Sequence, residues 1–212
     1  MKDIILFGVQ GSGKGTQGKI LAKKNQATVF DTGSALRSIA ARGSELGNEV
    51  KSIIDSGNLV STEVVMRVIE DFMDNAEDES VFVFDGIPRN FEQYEQFEVL
   101  MEKVGRKPNA LLIDIPREIA ENRLLKRKMC RGCQKIFGSN FTEKECDDCG
   151  GEVYVRADDN AEAIKHRIDV FFSDTVPVIK RYESENRVIR VDGTPEVVEV
   201  ATLIEDEDEL FA

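Results

Sequence analysis

The feature that most constrains the fold is a glycine-rich segment between an apolar run and a helical stretch. Gly8–Thr16 follows the apolar run Ile4–Phe7 and leads into Lys14–Lys24, which has the composition of a helix. The pattern Gly-x4-Gly-Lys in this context predicts a phosphate-binding loop, or P-loop. Its glycines let backbone N–H groups turn toward an anion, and the helix N-terminus adds partial positive charge. The alternative is a glycine-rich turn in an unrelated α/β protein.

Five short runs rich in β-branched and aromatic residues are continuously apolar rather than alternating, which predicts strands buried on both faces. Helical stretches separate several of them, including Glu92–Val104 and Arg117–Lys128. This alternation predicts an α/β fold with a five-stranded parallel sheet and helices on both faces. The predicted strands are Ile4–Phe7, Thr28–Phe30, Val81–Phe84, Leu111–Ile115 and Val188–Val191.

Two of the connections between these strands are longer than a crossover helix needs, which predicts two inserted segments. The first insertion spans residues 31–60, and the second, residues 127–155, contains all four cysteines. We therefore expect one P-loop core across residues 1–212 that carries both insertions.

The cysteines form two pairs, Cys130-x2-Cys133 and Cys146-x2-Cys149. Four thiolates at this spacing suit a tetrahedral metal with no open position, so the sequence predicts a structural zinc site. Iron is the alternative metal, and two disulfides are the alternative without a metal. A bound metal would hold together a segment too small to build a core of its own.

The charge balance excludes some classes of partner. Lys and Arg number 28 against 40 Asp and Glu, which gives a net charge of −12. This balance argues against a protein that coats nucleic acid, since such a protein needs a basic face. No apolar run approaches the roughly 20 residues of a membrane span, and the N-terminus lacks the features of a signal peptide. We expect a cytoplasmic protein with no nucleic-acid or membrane partner.

Polar segments follow the second and third predicted strands. These are Asp31–Arg37 and Asp85–Gln93. The carboxyl ends of parallel strands meet at the edge where open α/β sheets bind ligands. Arg37 and Arg89 in one crevice could clamp a phosphate, whereas either arginine alone would be interpreted as a surface salt-bridge residue. Asp85 ends a buried strand and is expected to face the P-loop.

The P-loop sequence Gly-x4-Gly-Lys-Gly-Thr-Gln and the two strand-end segments resemble those of adenylate kinases and related nucleoside monophosphate kinases. The cysteine-bearing insertion resembles the zinc-bearing lid of some bacterial members. The resemblance implies a monomer that binds ATP, AMP and ADP and reversibly converts ATP and AMP into two ADP, with Mg²⁺, in adenine nucleotide homeostasis. A related kinase with another acceptor or donor nucleotide is the alternative. Alternatives from other classes are a zinc-ribbon nucleic-acid binder and a nucleotide sensor without turnover.

The resemblance also implies which residues contact each nucleotide. Thr32 and Gln93 favour an adenine acceptor, because pyrimidine-specific relatives tend to carry other residues there. Ser34 and Asn58 differ from the residues usual in the family. The implied AMP-binding residues are Thr32, Gly33, Arg37, Leu59, Val60, Gly86, Arg89, Gln93, Arg156 and Arg167. The implied ATP-binding residues are Gly11, Ser12, Gly13, Lys14, Gly15, Thr16, Arg123, Arg127, Phe137 and Pro195.

The implied chemistry is charge neutralisation and alignment, because the attacking phosphate of AMP is already an anion. Asp85 resembles the acid that orients the water shell of Mg²⁺. Since Gly15 stands where a hydroxyl residue normally follows the P-loop lysine, we expect phosphate oxygens and water to hold most of the metal's coordination sites. The implied catalytic residues are Lys14, Asp85, Arg89, Arg123, Arg127, Arg156 and Arg167.

Three predictions concern the helices that flank the second insertion. Arg123 and Arg127 are four residues apart, which predicts that they share one helix face. Asp158 and Asp159 are predicted to cap the N-terminus of the next helix. His166, the only histidine, is predicted to be a surface residue of that helix without a chemical role.

Overall fold

The fold is organised around a five-stranded parallel sheet. The computed structural model describes residues 2–77, 80–138 and 140–207. The strands are β1 (Ile4–Phe7), β2 (Thr28–Asp31), β3 (Phe82–Asp85), β4 (Asn109–Asp114), β5 (Lys128–Cys130), β6 (Ile136–Phe137), β7 (Val153–Tyr154) and β8 (Val188–Asp192). The strand order in the parallel sheet is β2-β3-β1-β4-β8. The helices are α1 (Lys14–Asn25), α2 (Thr32–Ala40), α3 (Glu45–Asp55), α4 (Thr62–Asp74), α5 (Phe91–Lys103), α6 (Arg117–Leu125), α7 (Ala161–Val170), α8 (Val176–Ser184) and α9 (Val197–Glu205).

The five predicted strands all form, and the burial of β1 shows why their sequences are continuously apolar. Ile4 and Leu6 pack into one cluster with residues of α1 and α9. Ile5 and Phe7 pack into a second cluster, with residues of α5, α6 and α8. Because successive side chains of a strand point to opposite faces, a sheet covered by helices on both faces buries every residue of its central strand. The predicted fold class is confirmed.

The two predicted insertions contain different kinds of structure. Residues 31–60 contain α2 and α3. Asp31 caps α2 by accepting a hydrogen bond from the Ser34 N–H, and Ser44 caps α3 in the same way from Gly47. Residues 127–155, which we call the lid, contain a three-stranded antiparallel sheet with the order β6-β5-β7. The strand ends of the main sheet and these two segments surround the same cleft.

The helix that precedes the lid ends earlier than the sequence predicts. The helix predicted to run to Lys128 ends at Leu125, and Lys128 already pairs with Phe137 in the lid sheet. Arg127 therefore lies beyond α6, and the prediction that Arg123 and Arg127 share a helix face is wrong.

Across the described residues, no helix is both long and apolar enough to span a membrane.

Candidate active site

A cleft of about 1370 Å³ lies where the P-loop, the first insertion and the lid meet. The residues predicted to bind ATP, from Gly11 through Arg123 and Phe137 to Pro195, all line it. The seven residues predicted to be catalytic also line it. Residues that are far apart in the sequence therefore share one cavity, as the carboxyl ends of parallel strands allow.

The P-loop has the backbone shape that an anion site needs. Gly13, the N-cap of α1, has φ 94° and ψ 1°, in the left-handed region that residues with a Cβ rarely adopt. The next residue, Lys14, begins the helix and is half-buried. Burial lowers the pKa of the Lys14 amine, and the carboxylate of Asp85 opposes that shift. Burial also raises the pKa of Asp85, and Lys14 opposes that shift.

Asp85 faces the P-loop, as its place at the end of β3 predicts. A Cβ built on Gly15 would lie 3.1 Å from Asp85 Oδ2, so the carboxylate faces the first turn of α1. Asp31 ends the neighbouring strand β2 in register with Asp85. The P-loop and a buried carboxylate therefore lie on the same side of the cleft.

Two glycines at the strand ends make room for arginine guanidinium groups. A Cβ built on Gly33 would lie 2.9 Å from Arg37 Nη1, and a Cβ on Gly86 would lie 2.7 Å from Arg89 Nη2. Arg89 Nε donates to the Gly86 carbonyl at 2.8 Å. Thr175 Oγ1, from a π-helical segment between α7 and α8, donates to the Arg89 carbonyl at 2.8 Å. Both arginines are thus held against the backbone at the edge of the cleft.

The predicted AMP-binding residues divide into two groups. Six of them line the cleft, namely Gly33, Arg37, Val60, Arg89, Arg156 and Arg167. The other four, Thr32, Leu59, Gly86 and Gln93, are not among its lining residues. Thr32 and Gln93 are buried, with 3% and 2% of their surface exposed. Gln93 Oε1 accepts the Arg89 N–H at 2.8 Å, so this amide helps to hold the loop that carries Arg89.

Three arginines and two aspartates form a connected network on the lid side of the cleft. Arg127 donates to both carboxylate oxygens of Asp159, at 2.8 and 2.7 Å. Arg156 pairs with Asp158 through two hydrogen bonds. Arg167 donates to Asp158 at 2.8 Å and to Asp159 at 2.9 Å, and so joins the two pairs. We call these five residues the arginine–aspartate network.

The network overturns one local prediction. Asn160, not Asp158 or Asp159, caps α7, because its side chain accepts the Ala163 N–H at 2.9 Å. The two aspartates instead pair with guanidinium groups, which are stronger partners than a neutral backbone N–H. Burial raises the pKa of Asp158, but the hydrogen bond from Arg156 and the charges of Arg156 and Arg167 outweigh it and hold that pKa below its usual value.

Buried polar atoms without a hydrogen-bond partner concentrate around this cleft. Among the described residues they are Gln10 Oε1, Ser12 Oγ, Gln17 Oε1, Thr32 Oγ1 and Arg167 Nε. Such atoms are costly in a folded protein and are rare away from functional sites. They lie at the P-loop, at the start of α2 and in the arginine–aspartate network, as is expected where a polar ligand binds.

The end of β8 and the lid supply the remaining predicted ATP contacts. Arg123 donates to the carbonyls of Gly193 and Thr194, both at 3.0 Å, and so joins α6 to the loop that carries Pro195. Phe137 is buried in the lid and stacks on Phe141 with a centroid distance of 3.9 Å. The ring of Phe137 therefore contributes to the lid's own packing as well as to the wall of the cleft.

The four cysteines converge in the lid. Their sulfur atoms lie within 4.8 Å of one another, and the Cys130–Cys149 and Cys133–Cys146 sulfurs are 3.4 and 3.6 Å apart. A tetrahedral zinc ion with Zn–S bonds of about 2.3 Å would place its sulfurs about 3.8 Å apart, so this arrangement fits such an ion. All four are free thiols, which contradicts the disulfide alternative.

The backbone around Cys130 favours the thiolate form of this cysteine. The Gly132 N–H donates to Cys130 Sγ at 3.2 Å. Burial raises the pKa of Cys130, but the backbone N–H of Cys133, a hydrogen bond with Cys149 and the backbone N–H of Gly132 outweigh it and bring that pKa to about 7. The backbone N–H of Lys135 lowers the pKa of Cys133, but burial and hydrogen bonds with the other three cysteines outweigh it and raise that pKa to about 12. Backbone N–H donors favour deprotonated sulfur, which is the form that binds metal.

Comparison with known proteins decides the family. A family model described as adenylate kinase matches residues 6–187. The chain belongs to the adenylate kinase family. It is 36% identical over 208 residues to an adenylate kinase of Dehalococcoides mccartyi, and the aligned region covers 96% of each chain. It is 37% identical over 199 residues to an adenylate kinase of Methanosarcina acetivorans, which covers 92% of this chain and 93% of the relative.

A third relative, an adenylate kinase of Clostridium tetani, is 36% identical over 203 residues, and covers 93% of this chain and 94% of the relative. The family predicted from the P-loop and the strand-end segments is therefore confirmed. Adenylate kinases are phosphotransferases that use Mg²⁺ with ATP.

Several contacts of this adenylate kinase fold are not evident from the sequence. Asp158 and Asp159 have the residue type of helix caps, but their position between Arg156 and Arg167 is a signal for ion pairing. Nothing in the local sequence identifies Thr175 as the partner of the Arg89 carbonyl. His166, predicted to be a surface residue without a chemical role, contacts Asn58.

Proposed function

We propose that the chain transfers the γ-phosphoryl group of ATP to AMP, reversibly, to give two ADP. The observation that carries this proposal is that one cleft contains a P-loop and a second set of cations outside it. The P-loop supplies Lys14, and the second set is Arg37, Arg89, Arg156 and Arg167. A site for one nucleoside triphosphate needs only the first set, whereas two phosphorylated ligands need both. Membership of the adenylate kinase family supports the same conclusion.

On the donor side, the P-loop backbone and Lys14 hold the phosphates of ATP. The P-loop residues at the start of α1 line the cleft, and the helix adds partial positive charge there. Mg²⁺ bound with ATP would neutralise phosphate charge, and Asp85 would orient its water shell. Gly15 offers no hydroxyl ligand. Arg123 and Arg127 complete the donor side, where their positive charges neutralise the negative charge that develops on the transferred phosphoryl group.

On the acceptor side, Arg37, Arg89, Arg156 and Arg167 hold the phosphate of AMP in line with the γ-phosphorus. An oxygen of that phosphate attacks the γ-phosphorus, and the bond from phosphorus to the bridging oxygen of ADP breaks. No general base is needed, because the attacking oxygen is already ionised at neutral pH. The arginines contribute by alignment and by neutralising charge that builds up between the two nucleotides.

Asp158 and Asp159 act on this reaction through the arginines. They hold the guanidinium groups of Arg127, Arg156 and Arg167 in fixed directions before a nucleotide arrives. Cations that are already oriented need no reorganisation during the reaction, which is the main source of electrostatic catalysis. We therefore assign Asp158 and Asp159 as positioning residues.

The acceptor base is assigned to adenine from Thr32 and Gln93. Because Gln93 Oε1 already accepts the Arg89 N–H, its Nε2 is the group that can donate to a base. Adenine N1 accepts a hydrogen bond, whereas the corresponding N–H of guanine donates one, so this amide favours AMP over GMP. Neither Thr32 nor Gln93 lines the cleft. This observation favours a second candidate function, a kinase of the same family that acts on another acceptor nucleotide.

The lid would close over the reacting phosphates and exclude water, which would otherwise accept the phosphoryl group. Its four cysteines would hold a structural zinc ion, with iron as the alternative tetrathiolate metal. A cytoplasmic location, which the free thiols favour, and a monomeric state complete the proposal.

The experiment is a phosphoryl-transfer assay with Mg-ATP and a panel of AMP, GMP, UMP and CMP. We expect ADP to form with AMP at a kcat/KM at least about tenfold above that with the other acceptors, a difference of about 1.4 kcal/mol. The Lys14→Met variant is the control, because it removes the P-loop cation while retaining side-chain length. Turnover with a pyrimidine in preference to AMP would support the second candidate, and no turnover at all would contradict the proposal.

A further inference from the structure

A hydrogen bond joins the first insertion to the helix that follows the lid. His166 Nε2, on α7, lies 2.8 Å from Asn58 Oδ1. Ser56 Oγ donates to the Ile53 carbonyl at 2.8 Å and therefore accepts from Asn58 Nδ2 at 2.9 Å, which fixes the amide with its oxygen toward His166. Because an amide oxygen can only accept, the imidazole donates through its Nε2–H. Both the neutral tautomer with a proton on Nε2 and the imidazolium can make this bond.

Gly57 brings the backbone of the same segment against α7. A Cβ built on Gly57 would lie 3.1 Å from the Ala163 carbonyl, 3.1 Å from Arg167 Cγ and 3.4 Å from His166 Cδ2. Gly57 also has φ +82°, which a residue with a side chain rarely adopts. The backbone contact and the neighbouring hydrogen bond therefore dock residues 57–58 on one turn of α7.

This docking contact lies between two parts of the acceptor side of the cleft. Asn58 and Val60 line the cleft on the first insertion, and Arg167 lines it on α7. Arg167 follows His166 directly in the sequence, and its guanidinium is fixed by Asp158 and Asp159. A change at the His166–Asn58 bond would therefore alter the distance between the segment that contacts the acceptor base and the arginine that contacts its phosphate.

We infer that His166 is a positioning residue for the acceptor nucleotide, and that it acts through its hydrogen bond to Asn58. The inference rests on the proposed function, because it assigns residues 57–60 and Arg167 to the acceptor. His166 is not among the residues that line the cleft. It sets the separation between base site and phosphate site, so its loss weakens acceptor binding and leaves the donor side unchanged.

The expected effect is modest, since both side chains are exposed to solvent. A single exposed hydrogen bond corresponds to a change of about three- to fivefold in an equilibrium constant. We expect His166→Ala and Asn58→Ala each to raise KM for AMP by about that factor, with KM for ATP and kcat within about twofold of the wild type. His166→Gln should restore KM for AMP, because the amide nitrogen of glutamine reaches the position of the imidazole Nε2.

The test measures KM for AMP, KM for ATP and kcat for the wild type, both alanine variants, the double variant and His166→Gln. Lys165→Gln, an exposed neighbour on α7, is the matched control. The double variant should show the same KM for AMP as either single variant, because both remove one bond.

Four results would overturn the inference. They are additive effects of the two alanine variants, equal changes in KM for AMP and ATP, a His166→Gln variant that behaves like His166→Ala, and an unchanged KM for AMP in His166→Ala. Failure of the wild type to phosphorylate AMP is a different result, since it would contradict the proposed function itself.

Discussion

Replacing Asp159 by asparagine would remove one charge from the arginine–aspartate network with almost no change in side-chain shape. The carboxylate has no exposed surface and accepts three hydrogen bonds, two at Oδ1 from Arg127 and Arg167 and one at Oδ2 from Arg127. Asparagine can keep its oxygen at the Oδ1 position, but its NH₂ group would then face Arg127 Nε–H, donor against donor. One charge-assisted bond is lost and two become weaker.

The lost bond and the unpaired guanidinium together correspond to about 2–3 kcal/mol of unfolding free energy. For a chain of this size, that loss lowers Tm by about 5–10 °C. We also expect kcat to fall about tenfold or more, because Arg127 and Arg167 lose part of their fixed orientation. Urea and thermal unfolding measure the first effect, and the phosphoryl-transfer assay measures the second.

The control is Glu205→Gln, which breaks an ion pair with Lys24 in which both side chains are substantially exposed. Exposed pairs contribute about 0–1 kcal/mol, so this variant should lose little stability and no activity. A loss in Asp159→Asn no larger than that in the control would refute the reasoning that the network is a buried unit. The predicted loss of stability together with an unchanged kcat would refute the role of Asp159 in positioning the arginines.

Two further predictions concern the lid and the pH dependence of stability. Cys146→Ser should abolish zinc binding and make residues 127–155 sensitive to protease, since the buried core of the lid consists of Cys130, Phe137 and Cys146. Metal analysis and limited proteolysis check this, and an unchanged zinc content would contradict it. Because the pKa of Asp158 is held below its ordinary value of 3.8, its contribution to stability is fully present above that pH and is lost as the pH falls through the lowered value. Asp158→Asn should therefore be less stable than the wild type at neutral pH, with a difference that shrinks below about pH 4 in acid unfolding, and a constant difference across this range would contradict the assignment.

The parts of the fold that depend on local patterns could be predicted from the sequence. The strands followed from continuous apolar runs, and the P-loop from glycines between a strand and a helix. Predictions failed where a distant partner competes with a local one. Asp158 and Asp159 have the residue type of helix caps, but arginines from other elements pair with them instead.

The remaining contacts of the site depend on residues far apart in the chain. Asn58 and His166 are 108 positions apart, and no periodicity or spacing connects them. Thr175 reaches the Arg89 carbonyl across 86 positions. The early end of α6 also follows from the pairing of Lys128 with Phe137 rather than from helix propensity. Such features are set by tertiary packing, which a single sequence does not display.

The carboxylates that pair with the arginines also affect the electric field that a nucleotide meets before it reaches the cleft. A guanidinium beside Asp158 or Asp159 contributes little to the field far from the protein, where the net charge of −12 dominates. Dissolved ions screen that repulsion over about 8 Å at physiological ionic strength, whereas contacts inside the cleft are screened much less. The association rate of an anionic nucleotide should therefore rise with added salt, the reverse of what electrostatic steering gives when a protein attracts its ligand from a distance.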